Sequence, residues 1–215
     1  MKIFLDFDDV LFYSKKFIKD YKNIFSRHGV SEEIFKKHYY QYFKNKKGEK
    51  TRRYNLTSHL AGVKKELGID IEKLEKEIKR FIKNTSEYVF KDVGFFLREF
   101  KKSDLILISF SKTEFQKIKI NNSKLVNFFE KIIVTNSSKS TEILRIIKSN
   151  KTKKGYFFID DRVDYVSEVK KKVPIVCTIL VRRKEGRYKE PVNKYCDFEV
   201  KNLKEALKII KNKKV

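Results

Sequence analysis

Two acidic residues two positions apart, Asp6 and Asp8, stand where a short apolar run, Lys2-Ile3-Phe4-Leu5, stops. In an extended strand both side chains lean to the same face. Carboxylates held that close repel, and one pKa rises unless a cation neutralises them. With a metal ion between them, one oxygen can attack an electrophile while the other carboxyl carries a proton. A second pair, Asp160-Asp161, follows the run Tyr156-Phe157-Phe158-Ile159, and Asp164 comes shortly after it. Acids from two strand ends can meet around Mg2+, which takes oxygen ligands and keeps several waters. Ser109 closes the run Leu105-Ile106-Leu107-Ile108 and offers a hydroxyl to an anion. Ser111 with Glu114 has capping-box spacing, which predicts a helix opening at Ser111 with free amides at its start. Lys139 opens the helix ahead of the Tyr156 run.

The elements that must position these groups follow from periodicity. Lys2–Phe7 reads as a strand. From about residue 12 to 91 the apolar spacing is helical, as in Phe17, Tyr21, Phe25 and again in Leu74, Ile78, Phe81, Ile82. Gly29, Gly48 and Gly68 punctuate the block as turns. This predicts an all-helical insertion after a single strand. Beyond it helices and strands alternate: a helix over Val93–Phe100, strands over 105–109 and 132–134, and a helix over 111–120 between them. A helix over 141–147, a strand over 156–159 and a helix over 163–169 come next. Strands over 175–181 and 198–200 and a helix over 203–210 close the pattern. Repeated βα units with continuous apolar strands predict a Rossmann-like parallel sheet covered by helices, an α/β fold. The predicted division is an α/β core of 1–11 and 92–215, with 12–91 inserted. In such sheets the active crevice lies at the carboxyl ends of strands, where Asp6, Ser109 and Asp160 stand.

Composition narrows the class further. The chain has 215 residues, 40% of them hydrophobic and 14% aromatic, enough for a folded core without staples. The two cysteines, Cys177 and Cys196, and the absence of an export-like leader point to a reduced, cytoplasmic protein. His28, His38 and His59 lie far apart, which gives a zinc site little support. No uncharged apolar run approaches the ~20 residues of a membrane span. Fifty-two basic against 28 acidic residues give a net charge of +24, which suits polyanionic partners: nucleic acid, an anionic membrane surface or phosphorylated substrates. The excess is spread along a Lys-, Ile-, Asn- and Phe-rich chain, so coding bias accounts for it equally well.

The ordered set IFLDFDDVL (Ile3 to Leu11), LILIS (Leu105 to Ser109), Lys139 and YFFIDD (Tyr156 to Asp161) resembles the haloacid dehalogenase-like superfamily. The helical insertion sits where that family places a C1-type cap. Receiver domains use similar residue types, but their Lys comes last and no helical block follows strand one. The resemblance implies a phosphatase in which Asp6 attacks phosphorus and Asp8 protonates the leaving oxygen and then activates water. Mg2+ would be held by Asp6, the backbone carbonyl of Asp8, and Asp160 or Asp161, with Asp164 a further candidate. Ser109, Phe110 and Lys139 would bind the transferring phosphoryl group. The family's dehalogenases use one acid in the first motif, so Asp8 points to phosphoester chemistry. Asp9 departs from the family by standing where Gly is frequent, and Val10 replaces the commoner Thr.

The implied substrate is a small phosphorylated metabolite or nucleotide chosen by the cap. A phosphotransferase or mutase would share these motifs. A basic nucleic-acid-binding or polynucleotide-end-processing protein on the same scaffold is the alternative that the charge raises. Within the insertion, Lys44, Lys46, Lys47, Lys50, Arg52 and Arg53 form a basic run that reads as a solvated loop or a substrate clamp. Tyr39, Tyr40, Tyr42 and Phe43 beside it read as core aromatics or base-stacking groups.

Overall fold

The computed structural model describes residues 1–39, 41–44, 50–111, 113–149 and 155–213. In chain order the elements are β1 (Lys2–Leu5), α1 (Ser14–Arg27), α2 (Glu32–Tyr39), β2 (Gln41–Lys44), β3 (Lys50–Arg53), α3 (Leu56–Leu67), α4 (Glu72–Lys83) and α5 (Val93–Arg98). They continue with β4 (Leu105–Phe110), α6 (Glu114–Asn122), β5 (Lys131–Thr135), α7 (Lys139–Ser149), β6 (Tyr156–Asp160), α8 (Val163–Lys172), β7 (Cys177–Val181), β8 (Phe198–Val200) and α9 (Leu203–Asn212). The chain divides into two compact units, one of Met1–Lys15, Tyr88–Ser111 and Lys124–Val215, the other of Lys16–Glu87 with Lys112–Ser123. Among the described residues no helix is long and apolar enough to cross a membrane.

The first unit is built on a six-stranded parallel sheet in the order β5-β4-β1-β6-β7-β8. Runs such as Leu105–Ile108 and Tyr156–Ile159 are apolar at every position because helices cover both faces, and every one of these residues is buried. Phe4, Ile106, Ile108, Phe158 and Leu180 from the strands pack with Ile143, Val166 and Val169 from α7 and α8. The chain leaves β1 for β4 and β5 on one side, then returns to β6 on the other. That reversal makes the gap beyond β1 and β6 the topological switch point, where open α/β sheets bind ligands. The register pairs Leu5 with Ile159, so Asp6 and Asp160 come next on neighbouring strands.

The second unit buries one stripe of each helix. Tyr21, Ile24 and Phe25 of α1, Phe35 of α2, Leu60 and Val63 of α3, and Leu74, Ile78 and Ile82 of α4 form its core. Asn55 caps α3 by accepting the Ser58 amide at 2.8 Å, and Gly68 ends it at φ +64°, a left-handed turn that glycine adopts without a Cβ clash.

Four features differ from the sequence reading. The insertion is not all-helical, because β2 and β3 pair antiparallel with Gln41 opposite Arg53 and Lys44 opposite Lys50. Strand β1 ends at Leu5 and not Phe7. Helix α6, expected in the α/β core, groups with the second unit: Phe115 packs on that unit's core and Thr85 donates to the Lys119 carbonyl at 3.0 Å. Ser111 does not cap α6, which begins at Glu114 with Thr113 as its N-cap residue. The reason is that the Ser111 amide donates to the Thr135 carbonyl at 2.8 Å, prolonging the β4–β5 ladder where a cap would need the chain to turn.

Candidate active site

Four of the sequence-derived residues converge at the switch point. Asp6 follows β1 directly, its amide still donating to Ile159 at 2.9 Å, and Asp160 is the last residue of β6. The ammonium of Lys139, the first residue of α7, donates to Asp6 Oδ1 and to Asp160 Oδ2, each at 2.6 Å. Lys139 is 1% exposed, Asp160 0%, Asp161 5% and Asp6 6%, so this is a cluster of ionisable groups almost wholly withdrawn from water. The Arg162 amide fixes the other Asp160 oxygen at 2.9 Å.

Burial sets the electrostatics. It pushes Asp6 up to about 7, with Lys139 pulling the other way and the charges of Asp160 and Asp8 adding to the rise. Asp161 is pushed up to about 9, by burial first and then by Asp160, Asp6 and Asp9. Asp160 is also raised, by burial opposed chiefly by Lys139. For Lys139 burial acts to lower the pKa, but Asp160 and Asp6 outweigh it and keep the ammonium charged.

Oxygen atoms of Asp6, Asp160 and Asp161 all lie within 4.8 Å of one another. Asp161 Oδ2 is buried and accepts no hydrogen bond among the described residues. Hard carboxylate oxygens at this spacing, with one buried oxygen unsatisfied and carboxyl pKa values pushed up, fit a small divalent cation such as Mg2+. Asp164 is not part of this group. Its side chain is 59% exposed and pairs with the Arg162 guanidinium, whose Nε donates to Oδ1 at 3.0 Å.

Asp8 lies beside the cluster, partly buried, and its carboxylate accepts from the Ser14 hydroxyl at 2.6 Å. Asp9 is fully buried with φ +56°, a left-handed conformation that explains how a Gly would serve there. Here the aspartate is held in place: the Ser14 amide donates to Oδ1 at 3.2 Å and Arg187 Nε donates to Oδ2. Ser109 sits near the end of β4, 2% exposed and in register with Val134. Phe110 follows it, 39% exposed, with its ring centroid 6.0 Å from that of Tyr165. Tyr165 also lies 4.6 Å from the Lys139 ammonium and 4.2 Å from the Arg162 guanidinium.

The sequence reading missed Ser14 and the segment after β7. Arg183 donates to the Val10 carbonyl through Nε at 3.0 Å and Nη2 at 2.8 Å, and Nη2 also reaches Asp92 at 2.9 Å. Arg182 reaches the Asp161 carbonyl at 3.5 Å and the Tyr188 carbonyl at 3.3 Å. Arg187 closes the set on Asp9. Arginines so near the strand-end acids were visible as residues, but only the fold brings residue 187 against residue 9. In the insertion, Tyr39 packs on Phe35 and Tyr54 with centroids at 5.2 and 4.7 Å, as a core aromatic does. The side chains of Tyr40, Tyr42, Phe43, Lys44, Lys46, Lys47, Lys50, Arg52 and Arg53 lie outside the described residues.

No protein-family model matches the sequence, and no curated protein is detectably similar to it. Solved structures are similar in fold. A haloacid dehalogenase-like hydrolase of Burkholderia xenovorans aligns at TM-score 0.69 and 15% identity, over 99% of this chain and 97% of that one. The L-2-haloacid dehalogenase of Xanthobacter autotrophicus aligns at TM-score 0.62 and 13% identity, over 98% of each. A HAD hydrolase of Bacillus subtilis solved bound to magnesium aligns at TM-score 0.58 and 13% identity, over 97% of each.

Proposed function

We propose that this chain, whose fold is that of the haloacid dehalogenase-like hydrolases, is a Mg2+-dependent phosphomonoesterase acting on a small phosphorylated metabolite or nucleotide. The observation that carries the reading is the buried group of Asp6, Lys139, Asp160 and Asp161 at the switch point. Asp8 supports phosphoester chemistry over dehalogenation, because the dehalogenases that the first motif resembles use one acid there. Asp6, Asp160 or Asp161, and the Asp8 carbonyl would hold Mg2+, whose charge would offset that of the phosphoryl oxygens.

The residues divide the work as follows. A carboxylate oxygen of Asp6 forms a bond to phosphorus as the ester P–O bond breaks, and the leaving oxygen takes a proton from Asp8. Asp8, now ionised, takes a proton from water as the water oxygen attacks the aspartyl-phosphate, releasing inorganic phosphate and restoring Asp6. Ser14 orients Asp8 by its 2.6 Å hydrogen bond. Lys139 holds Asp6 in place and, with the Ser109 hydroxyl, would steady the phosphoryl oxygens, which must be neutralised before an anionic nucleophile can approach.

The test is a panel of phosphomonoesters assayed with Mg2+ and with chelator. Release of phosphate that needs Mg2+ and falls at least ~10³-fold in Asp6→Asn is expected. Inactivity of the wild type over the whole panel with Mg2+ present would overturn the reading.

A further inference from the structure

Arg187 is placed in a way that the proposed chemistry does not use. Its Nε donates to Asp9, a fully buried carboxylate that the Ser14 amide also fixes. Its guanidinium lies 5.4 Å from the Tyr188 ring, which Arg162 approaches from its own position at 5.1 Å. The side chain is nevertheless 34% exposed, and its Nη groups make no hydrogen bond among the described residues. With Nε committed, the remaining edge presents two parallel N–H donors, the fork that matches a carboxylate or phosphate. Burial would lower its pKa, but the charges of Asp8 and then Asp9 keep it protonated.

The reacting phosphoryl group already has Lys139, Ser109 and a metal ion as partners in the proposed mechanism. Asp8 is the residue that protonates the leaving oxygen there, and Arg187 is bonded to Asp9, the next residue in the chain, so its cation stands on the leaving-group side. We propose that Arg187 is a substrate-binding residue that holds a second anionic group, phosphate or carboxylate, carried on the leaving portion of the phosphomonoester. Remote binding of this kind raises turnover as well as affinity, because it fixes the reacting bond against the nucleophile. The inference rests on the phosphomonoesterase reading and names the substrate class within it.

Binding to non-hydrolysable probes tests this without relying on turnover. Calorimetry at one fixed Mg2+ concentration compares methylenediphosphonate and phosphonoacetate, which carry a second anion, with methylphosphonate, which lacks it. Arg187→Gln is expected to weaken at least one of the two-anion probes by about tenfold or more, as for a lost charge-assisted pair, and methylphosphonate by less than about threefold. The probe that loses more tells whether the second group is phosphate or carboxylate. Asp9→Gly/Arg187→Gln, which removes the unpaired buried carboxylate and suits the positive φ, guards against misfolding and is expected to show the same selective loss. Equal weakening of all three probes, no weakening of any, or recovery in the double variant would overturn the proposal. Failure of the phosphomonoesterase reading would instead appear as absent turnover, with the binding comparison intact.

Discussion

The ammonium of Lys139 lies 2.6 Å from the carboxylate of Asp6, a residue 133 positions away in the chain, and at the same distance from Asp160. Two buried carboxylates thus depend on one side chain. Two carboxylates drawn from strand ends that share a register would otherwise face each other without compensation.

Replacing Lys139 by Met should therefore destabilise the protein by ~3–5 kcal/mol near neutral pH, the cost of leaving buried charge unpaired. The loss should shrink in acid, where Asp6 and Asp160 take up protons in place of the ammonium. Lys139→Arg should not restore activity, since a planar fork does not fit a site built for a point charge. Denaturant unfolding at two pH values, alongside turnover, checks both points. A loss of stability that does not vary with pH would contradict the assignment.

The Asp161 carboxyl, pushed up to about 9 from an ordinary value of 3.8, binds a proton in the folded protein that the unfolded chain lacks between those values. Its contribution to stability is thus complete in acid and lost as pH rises towards about 9. Mg2+ should replace that proton. The rise in Tm on adding Mg2+ should grow between about pH 6 and about pH 8.5, with proton release on binding. Asp161→Asn should flatten the decline in Tm and abolish most of the Mg2+ effect. A Mg2+ shift independent of pH would count against these carboxylates as the ligands.

Asp9 occupies a left-handed conformation that costs an ordinary residue about 1 kcal/mol, offset here by its bonds to Ser14 and Arg187. Asp9→Ala should keep the strain and lose the bonds, whereas Asp9→Gly loses only the bonds. Thermal unfolding should place the Gly variant above the Ala variant by about 1 kcal/mol. The reverse order would show that conformation is not what the site demands.

Ser14 donates to Asp8 from the first turn of α1. Removing its hydroxyl in Ser14→Ala should lower kcat several-fold on alkyl phosphates, whose leaving oxygen needs a proton. It should matter much less on para-nitrophenyl phosphate, whose leaving group does not. Equal losses on both substrates would show that Ser14 acts on something other than protonation of the leaving oxygen.

The acids of the site were legible because each stands where a buried apolar strand stops, a local signal that survives in one sequence. Their meeting was legible only through the strand order, which the alternation of helices and strands implied. What escaped were contacts of long chain separation. Arg187 meets Asp9 across 178 positions, and nothing near either residue advertises the other. Ser111 misled because its capping-box spacing is local, while its amide is taken by Thr135 of the neighbouring strand. Strands β2 and β3 were read as helix or loop because each is only four residues long and β3, Lys-Thr-Arg-Arg, has no apolar alternation. Helix α6 follows β4 as a core helix would, and its short, weakly patterned sequence does not say which unit it packs on.

In the proposed mechanism Asp6 becomes covalently phosphorylated. Asp8→Asn should block the water attack while leaving the first step open for para-nitrophenyl phosphate, which departs without a proton. Acid-quenched protein from that reaction in Mg2+, digested and read by mass spectrometry, should carry phosphate on Asp6. Wild-type turnover with the phosphate on another residue, or with none trapped in the variant, would contradict the account.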